Sequence, residues 1–272
     1  MRNFSVLISV YAKENAHNLD EALNSIEEQN LKPSEIVLIQ DGPIPATLGK
    51  VISTHAKTAK IQYKIIPLSI NVGLGMALSK GLAMCRYKWV ARMDSDDIAL
   101  PDRFEKQFGY LIENPDTDIL GSWICEFDEN SAECNKKRKV PVTNEDIRSF
   151  SKHRNPLNHM TVVFRKSAVQ EVGGYLPMNG FEDYYLWMRM LMAEKQFANI
   201  PQVLVKARTG QGMISRRQGL KYTKDELALE KAAYQLGFWS KLDLIKNLFT
   251  RVLPRLLPVF IVEKLYNLLR KF

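Results

Sequence analysis

Three groups of ionisable residues in this 272-residue chain have types and spacings that could do chemistry. Asp94-Ser95-Asp96-Asp97 directly follows the apolar run Trp89-Val90-Ala91-Arg92-Met93. Oxygen-only donors of this kind suit hard cations such as Mg2+ or Mn2+, which need few protein carboxylates when phosphates complete the shell. Glu182-Asp183 opens an amphipathic stretch, and the dipole at a helix start favours ionised carboxylates. A carboxylate held ionised there could take a proton from a hydroxyl nucleophile. The stretch Arg208 to Arg217 ends in a pair, Arg216-Arg217, suited to bidentate contacts with a diphosphate. Each group also has a plainer reading: an acidic turn, a helix cap, a solvated loop.

These residues need a scaffold, and the first half of the chain supplies one by alternating strand and helix signals. Residues 5–10, 35–40, 61–66 and 89–93 read as strands. Between them lie helical patterns: Leu19, Ala22, Leu23 and Ile26 after an Asn18/Glu21 capping box, a weaker helix from Val51, and a helix over 71–84 entered through Gly73 and Gly75. Helical crossovers between buried strands imply an α/β fold with a mostly parallel sheet flanked by helices. Ligands of such sheets sit beyond the carboxyl ends of the strands. Those ends carry Tyr11 to Glu14, Gln40-Asp41-Gly42 and Asp94 to Asp97, so acidic groups gather at one edge. Further on, the pattern predicts a helix after Pro101, a strand over 118–124, a polar loop over 128–141 and a helix capped by Thr143. A strand over 160–165, a turn at Gly173-Gly174 and a helix from Glu182 follow.

In this order the motifs resemble the inverting glycosyltransferases of family 2, especially bacterial enzymes that assemble O-antigen and exopolysaccharide repeat units. The resemblance covers roughly residues 3–220: Ser9-Val10-Tyr11 at the end of the first strand, Gln40-Asp41-Gly42-Pro43, Asn71-Val72-Gly73-Leu74-Gly75, Asp94-Ser95-Asp96-Asp97 and Glu182-Asp183. It implies the GT-A fold, a Rossmann-like central sheet, with residues 1–97 as the nucleotide-binding half and 98–220 as the acceptor-binding half. It further implies Asp96 and Asp94 as ligands of Mn2+ or Mg2+, and Asp183, aided by Glu182, as the base that activates the acceptor hydroxyl. Ser9, Tyr11, Glu14, Asp41, Asn71, Asp94, Arg216 and Arg217 fall to the nucleotide, with Tyr11 stacking on the base and Asp41 accepting an imide N–H, as suits a UDP-sugar. His159 and Trp187 are acceptor-side candidates. The expected reaction moves a hexose, galactose or glucose, to a GlcNAc- or GalNAc-diphosphate-lipid. The Gln-x-x-Arg-Trp motif of processive members is absent, and Ser215-Arg216-Arg217-Gln218 occupies its place, which argues for a non-processive enzyme.

Composition agrees: 46% apolar, 25% charged and 10% aromatic is ordinary for a globular protein. The net charge of +8 is uneven, from −5 over residues 1–130 to +13 over 131–272. No helix-turn-helix, zinc or RNP pattern accompanies the basic half, so nucleic acid is not an expected partner. A nucleotidyltransferase would carry a Gly-rich loop after the first strand, and Ser9 to Asn18 contains no glycine. A non-catalytic nucleotide-sugar-binding protein at a membrane is the other alternative. Three cysteines, Cys85, Cys125 and Cys134, are too few and too irregular for a disulfide framework and fit a reducing compartment. Residues 221–272 read as a C-terminal helical appendage. Within 241–272, 18 residues from the set Val, Ile, Leu, Phe and Tyr accompany 7 Lys/Arg and 2 acids, and Pro254 and Pro258 divide the segment. Leu244, Ile245, Leu248, Phe249, Val252 and Leu253 would form one apolar helical face. That pattern suits an in-plane anchor on the anionic cytoplasmic face of the inner membrane, or a helix pair closing the core.

Overall fold

The computed structural model describes residues 3–128, 131–209 and 219–252. Three buried strands, β1 (Phe4–Val10), β2 (Glu35–Gln40) and β4 (Trp89–Met93), and a half-exposed edge strand, β3 (Gln62–Pro67), lie parallel in the order β3-β2-β1-β4. Helices α1 (Ala16–Glu27), α2 (Ala46–Thr58) and α3 (Leu74–Met84) connect them. The chain steps outward from β1 to β3 and then returns to the other side of β1. Between β1 and β4 the sheet therefore has a topological switch point, where strand ends diverge and open a crevice.

Beyond β4 the sheet becomes mixed. Strand β5 (Ile98–Ala99) and helix α4 (Arg103–Glu113) lead to β6 (Ile119–Asp128), β7 (Ser131–Arg138) and α5 (Asn144–Phe150). A 3-10 turn at His159–Thr161, β8 (Val163–Arg165), α6 (Lys166–Glu171), α7 (Glu182–Met192) and β9 (Phe197–Arg208) follow. The sheet continues β4-β8-β6-β9-β5, with β7 paired to β6 at one side; β6 and β9 are parallel, while β8, β7 and β5 pair antiparallel. Apolar side chains cover both faces. One core contains Leu7, Val37, Leu78, Phe164, Trp187 and Trp239, and the other Phe4, Ile8, Leu23, Leu38, Phe104 and Val205. Helices α8 (Gly219–Gln235) and α9 (Lys241–Asn247) close the first, and Leu248–Val252 continues α9 as a π-helical turn.

Three expectations are corrected. Residues 131–138 are a strand, not a loop; lysine-rich sequence is typical of a sheet edge, where charge blocks unwanted pairing. The cap of α1 is Asn15, whose Oδ1 accepts from His17 N at 2.8 Å and Asn18 N at 3.3 Å, so the helix begins before the Asn18/Glu21 pair. Cys125 and Cys134 form a disulfide across the β6–β7 hairpin, with their Cα atoms 5.6 Å apart.

Candidate active site at the switch point

A cleft of about 620 Å3 opens at the carboxyl ends of β1, β2 and β4. Ser9, Tyr11, Glu14, Asp41, Asn71, Asp94 and Asp96 all line it, so residues separated by up to 87 positions in sequence meet there. Tyr11 stands 43% exposed at the mouth. Asp41 is buried and ties down the loop before α3: its Oδ1 accepts from Val72 N at 2.7 Å, and its Oδ2 from Gly73 N at 3.1 Å and Asn71 Nδ2 at 3.0 Å. Gly42 makes this possible. It has φ of +87°, and a Cβ there would lie 2.6 Å from Asn71 N, so only glycine lets the two loops pass.

Opposite Asp41, the acidic motif is wired into its surroundings. Ser95 is buried and its hydroxyl donates to Glu14 Oε2 at 2.5 Å, which joins the ends of β1 and β4. Asp94 is ion-paired to Arg92. Asp97 Oδ1 accepts from Arg208 N at 2.8 Å, while its buried Oδ2 has no hydrogen-bond partner among the described residues. One carboxylate oxygen from each of Asp94, Asp96 and Asp97 lies within 4.8 Å of the others. Burial, then the charges of Asp94 and Glu14, push the Asp96 carboxyl up to about 7. Crowded oxygens, one of them orphaned, are what a hard divalent cation relieves, so the donor set fits Mg2+ or Mn2+. Asp97 enters this set although its sequence position alone gave it no role.

Two arginines, neither of them expected as a site residue, hold the site together. Arg208 ends β9 and lines the cleft; it donates through Nε to the Asp96 carbonyl at 3.0 Å and through Nη2 to Glu21 Oε2 at 2.7 Å. Arg92 is 2% exposed, paired to Asp94, with Nε and Nη1 unpartnered among the described residues. Its charge lowers the carboxyl pKa values of both Glu182 and Asp183.

That acidic pair begins α7, beside the cleft. Gly75, in the first turn of α3, allows the approach, since a Cβ there would sit 3.1 Å from Glu182 Cβ. Asp183 Oδ2 accepts from Asn155 Nδ2 at 2.7 Å and Oδ1 from Tyr184 N at 2.7 Å. Burial raises the Asp183 pKa, opposed by those two hydrogen bonds and by the charges of Arg92 and Arg138. Burial and then Asp183 push Glu182 up to about 7.

The acceptor-side candidates differ from expectation. Trp187 is fully buried on the inner face of α7, edge-on to His159 and Phe197, and has no surface to offer a substrate. His159 is part-buried, with Nε2 at 2.9 Å from Tyr175 Oη; burial and then Arg92 hold its pKa well below the usual range, so it is neutral. Arg216 and Arg217 lie outside the described residues.

Residues 5–173 match the sequence model described as Glycosyl transferase family 2. The chain is similar to the amylovoran biosynthesis glycosyltransferase AmsE of Erwinia amylovora, 41% identical over 98% of this chain and 99% of that one. It is also 38% identical to the UDP-Gal:alpha-D-GlcNAc-diphosphoundecaprenol beta-1,3-galactosyltransferase of Escherichia coli, over 99% and 97% of the two chains. Among solved structures, S. aureus TarS 1-349 in complex with UDP-GlcNAc superposes with a TM-score of 0.67 at 17% identity, covering 93% of this chain and 72% of that one. The mannosyltransferase PcManGT from Pyrobaculum calidifontis, in complex with GDP-Man and Mn2+, gives 0.61 at 15% identity over 99% and 80%. With its GT-A architecture and a match across well over half its length, the chain belongs to glycosyltransferase family 2.

Proposed function

We propose that this glycosyltransferase moves a hexose, galactose or glucose, from a UDP-sugar to a GlcNAc- or GalNAc-diphosphate-lipid, with inversion and without processivity, in synthesis of a bacterial surface polysaccharide. The observation that carries this reading is the meeting of Tyr11, Asp41, Asp94 and Asp96 in one cleft, with Glu182 and Asp183 beside it. The donor and acceptor classes are those that the name of the E. coli relative gives.

In this reading Tyr11 stacks on uracil at the cleft mouth. Asp41 Oδ1 accepts one loop N–H and keeps a lone pair for the imide N–H. Asp94, Asp96 and Asp97 would hold the divalent ion. When bound, the ion offsets negative charge on the departing diphosphate. Asp183 takes the proton of the acceptor hydroxyl, which attacks the anomeric carbon in line. Asn155 and the Tyr184 N–H orient that carboxylate, and with the charge of Arg92 they oppose the rise that burial imposes on its pKa.

No helix among the described residues is long and apolar enough to cross a membrane. A lipid-linked acceptor would favour peripheral docking at the cytoplasmic membrane face, through the basic, apolar C-terminal segment. The test is a nucleotide-sugar panel with a synthetic GlcNAc-diphosphate-lipid acceptor. Transfer from UDP-galactose or UDP-glucose that stops in excess EDTA, and that Asp96→Ala abolishes, is the expected result. Full transfer in EDTA would refute the metal role, and no transfer from any UDP-hexose would refute the donor class.

A further inference from the structure

Helix α8 carries three acids and three lysines, and folding sorts them by sign. Glu226 and Glu230 are buried, at 0% and 1% exposure, and Asp225 is half-buried. Lys221, Lys224 and Lys231 are all exposed. Both ion pairs of the helix run inward, from Glu226 and Glu230 to Arg251, and no ion pair among the described residues engages the three lysines. Apolar side chains share their face. Leu220, Leu227 and Tyr234 are 73%, 43% and 39% exposed and stand seven residues apart, so they form one ridge along the helix. Lys224 and Lys231, also seven apart, form a second ridge about 40° further round, and Lys221 flanks it. An apolar ridge beside a basic one is the pattern of a helix lying in the plane of a membrane interface. Tyr234 suits that level, with an apolar ring and a polar tip.

The first turn of α8 fixes where this face lies. The Tyr222 ring centre is 5.2 Å from that of Phe181, the residue directly before Glu182-Asp183, and a Cβ at Gly180 would lie 3.9 Å from Tyr222 Cε2. The outer face therefore begins next to the helix start that carries the proposed base. Charge decides what covers it. A second copy of this chain would bring its own lysines against these. Residues 253–272, with four Lys/Arg against one acid, carry the same sign. Like charges count against both. A layer of anionic lipid phosphates is opposite in sign and also receives the apolar ridge.

We infer that the outer face of α8 seats the protein on an anionic lipid surface, with Leu220, Leu227 and Tyr234 entering the headgroup layer and Lys221, Lys224 and Lys231 meeting its phosphates. This rests on the peripheral docking proposed above for the C-terminal segment. To residues 241–272 it adds a second contact, one that orients the molecule. With α8 on the surface, a lipid-linked acceptor in that surface is presented beside Glu182 and Asp183.

The test measures co-sedimentation of the full chain with vesicles of mixed phosphatidylglycerol and phosphatidylcholine, over a range of salt concentrations. The triple variant Lys221→Gln/Lys224→Gln/Lys231→Gln should lower the partition coefficient roughly tenfold or more and flatten its salt dependence. Leu220→Ser/Leu227→Ser should lower it roughly tenfold and keep the salt dependence. Lys50→Gln/Lys57→Gln/Lys60→Gln removes the same charge from exposed positions in and after α2, and should bind as wild type does. Circular dichroism and thermal melting confirm that the variants fold. Wild-type binding by both α8 variants overturns the inference and leaves docking to residues 241–272. So does a leucine double variant that only turns a dimer into a monomer, since the face would then join two copies. If the wild type itself does not bind these vesicles at any salt concentration, the proposed peripheral docking fails and not merely the role of α8.

Discussion

At the residue scale the catalytic proposal turns on how two adjacent carboxylates are treated differently. Asp183 receives two hydrogen bonds from Asn155 and Tyr184 N, while Glu182 is buried and repelled by its neighbour. Asp183→Asn preserves size, so folding should survive while turnover falls about 10²- to 10⁴-fold, as loss of a general base implies. Glu182→Gln should cost less, and the reverse order would move the base to Glu182. Arg92 gives a pH signature. Its cation lowers both carboxyl pKa values, so replacing it raises them and the base stays protonated to higher pH. The acidic limb of the kcat/KM profile should therefore shift to higher pH in Arg92→Met and stay close to wild type in Arg92→Lys. A lower rate with an unshifted limb would leave Arg92 a packing role only. None of this could be read from sequence, where an arginine inside a strand looks like a surface residue. Its burial is tolerated because it pairs with Asp94.

At the scale of elements, the site depends on how closely the starts of α3 and α7 approach. Gly75 is the narrow point, with a virtual Cβ 3.1 Å from Glu182 Cβ, whereas nothing lies within 4 Å of a Cβ at Gly49 in α2. Gly75→Ala should push Glu182 aside and slow transfer, read as kcat, even where the protein remains folded. Gly49→Ala should leave kcat unchanged and add about 0.5–1 kcal/mol of stability. Equal effects at the two positions would mean the contact has no bearing on catalysis. Elements with buried apolar runs were legible in advance: β1, β2 and β4 end where the sequence pattern stops, and that alone aligned Tyr11, Asp41 and Asp94. Other elements were not. Strand β7 hides behind its lysines, and β9 behind Pro201, which with Gln202 bulges out where the register to β6 jumps from Ile200 to Val203. The role of Arg208 comes from β9, so that part of the site was invisible until the strand was placed. Trp187 was misjudged for a related reason, since a helical stripe does not say which of its aromatics faces a cleft.

On the scale of the whole molecule, the C-terminal segment divides at residue 252. Up to that point it belongs in part to the core. Trp239 is 1% exposed, and Arg251 reaches the buried Glu226 at 2.5 Å, lies near Glu230 at 3.9 Å, and stacks over Tyr184 and Trp239. Tyr184 follows Asp183 directly, so this latch braces the helix that carries the acidic pair. The same segment turns Leu242, Ile245 and Phe249 outward, at 78%, 52% and 65% exposure, along with the exposed Lys241 and Lys246. Val252, expected on that apolar face, is instead buried. Residues 253–272, which carry Leu256, Val259, Phe260 and four more basic residues, Arg255, Lys264, Arg270 and Lys271, lie outside the described residues. Two truncations separate the roles. A chain ending at 238 loses Arg251, the cation beside two buried carboxylates, a loss on the order of 3–5 kcal/mol, so it should melt far lower or aggregate. A chain ending at 252 keeps the latch and should melt close to the full chain. If residues 253–272 add membrane affinity, the full chain should co-sediment with anionic vesicles in a salt-sensitive way, and the chain ending at 252 should bind more weakly while still transferring sugar to a soluble acceptor. Equal vesicle binding by both would confine docking to the exposed faces of α8 and around Phe249. Failure of the 252 chain to fold would make the whole segment a closure of the core and remove the anchor.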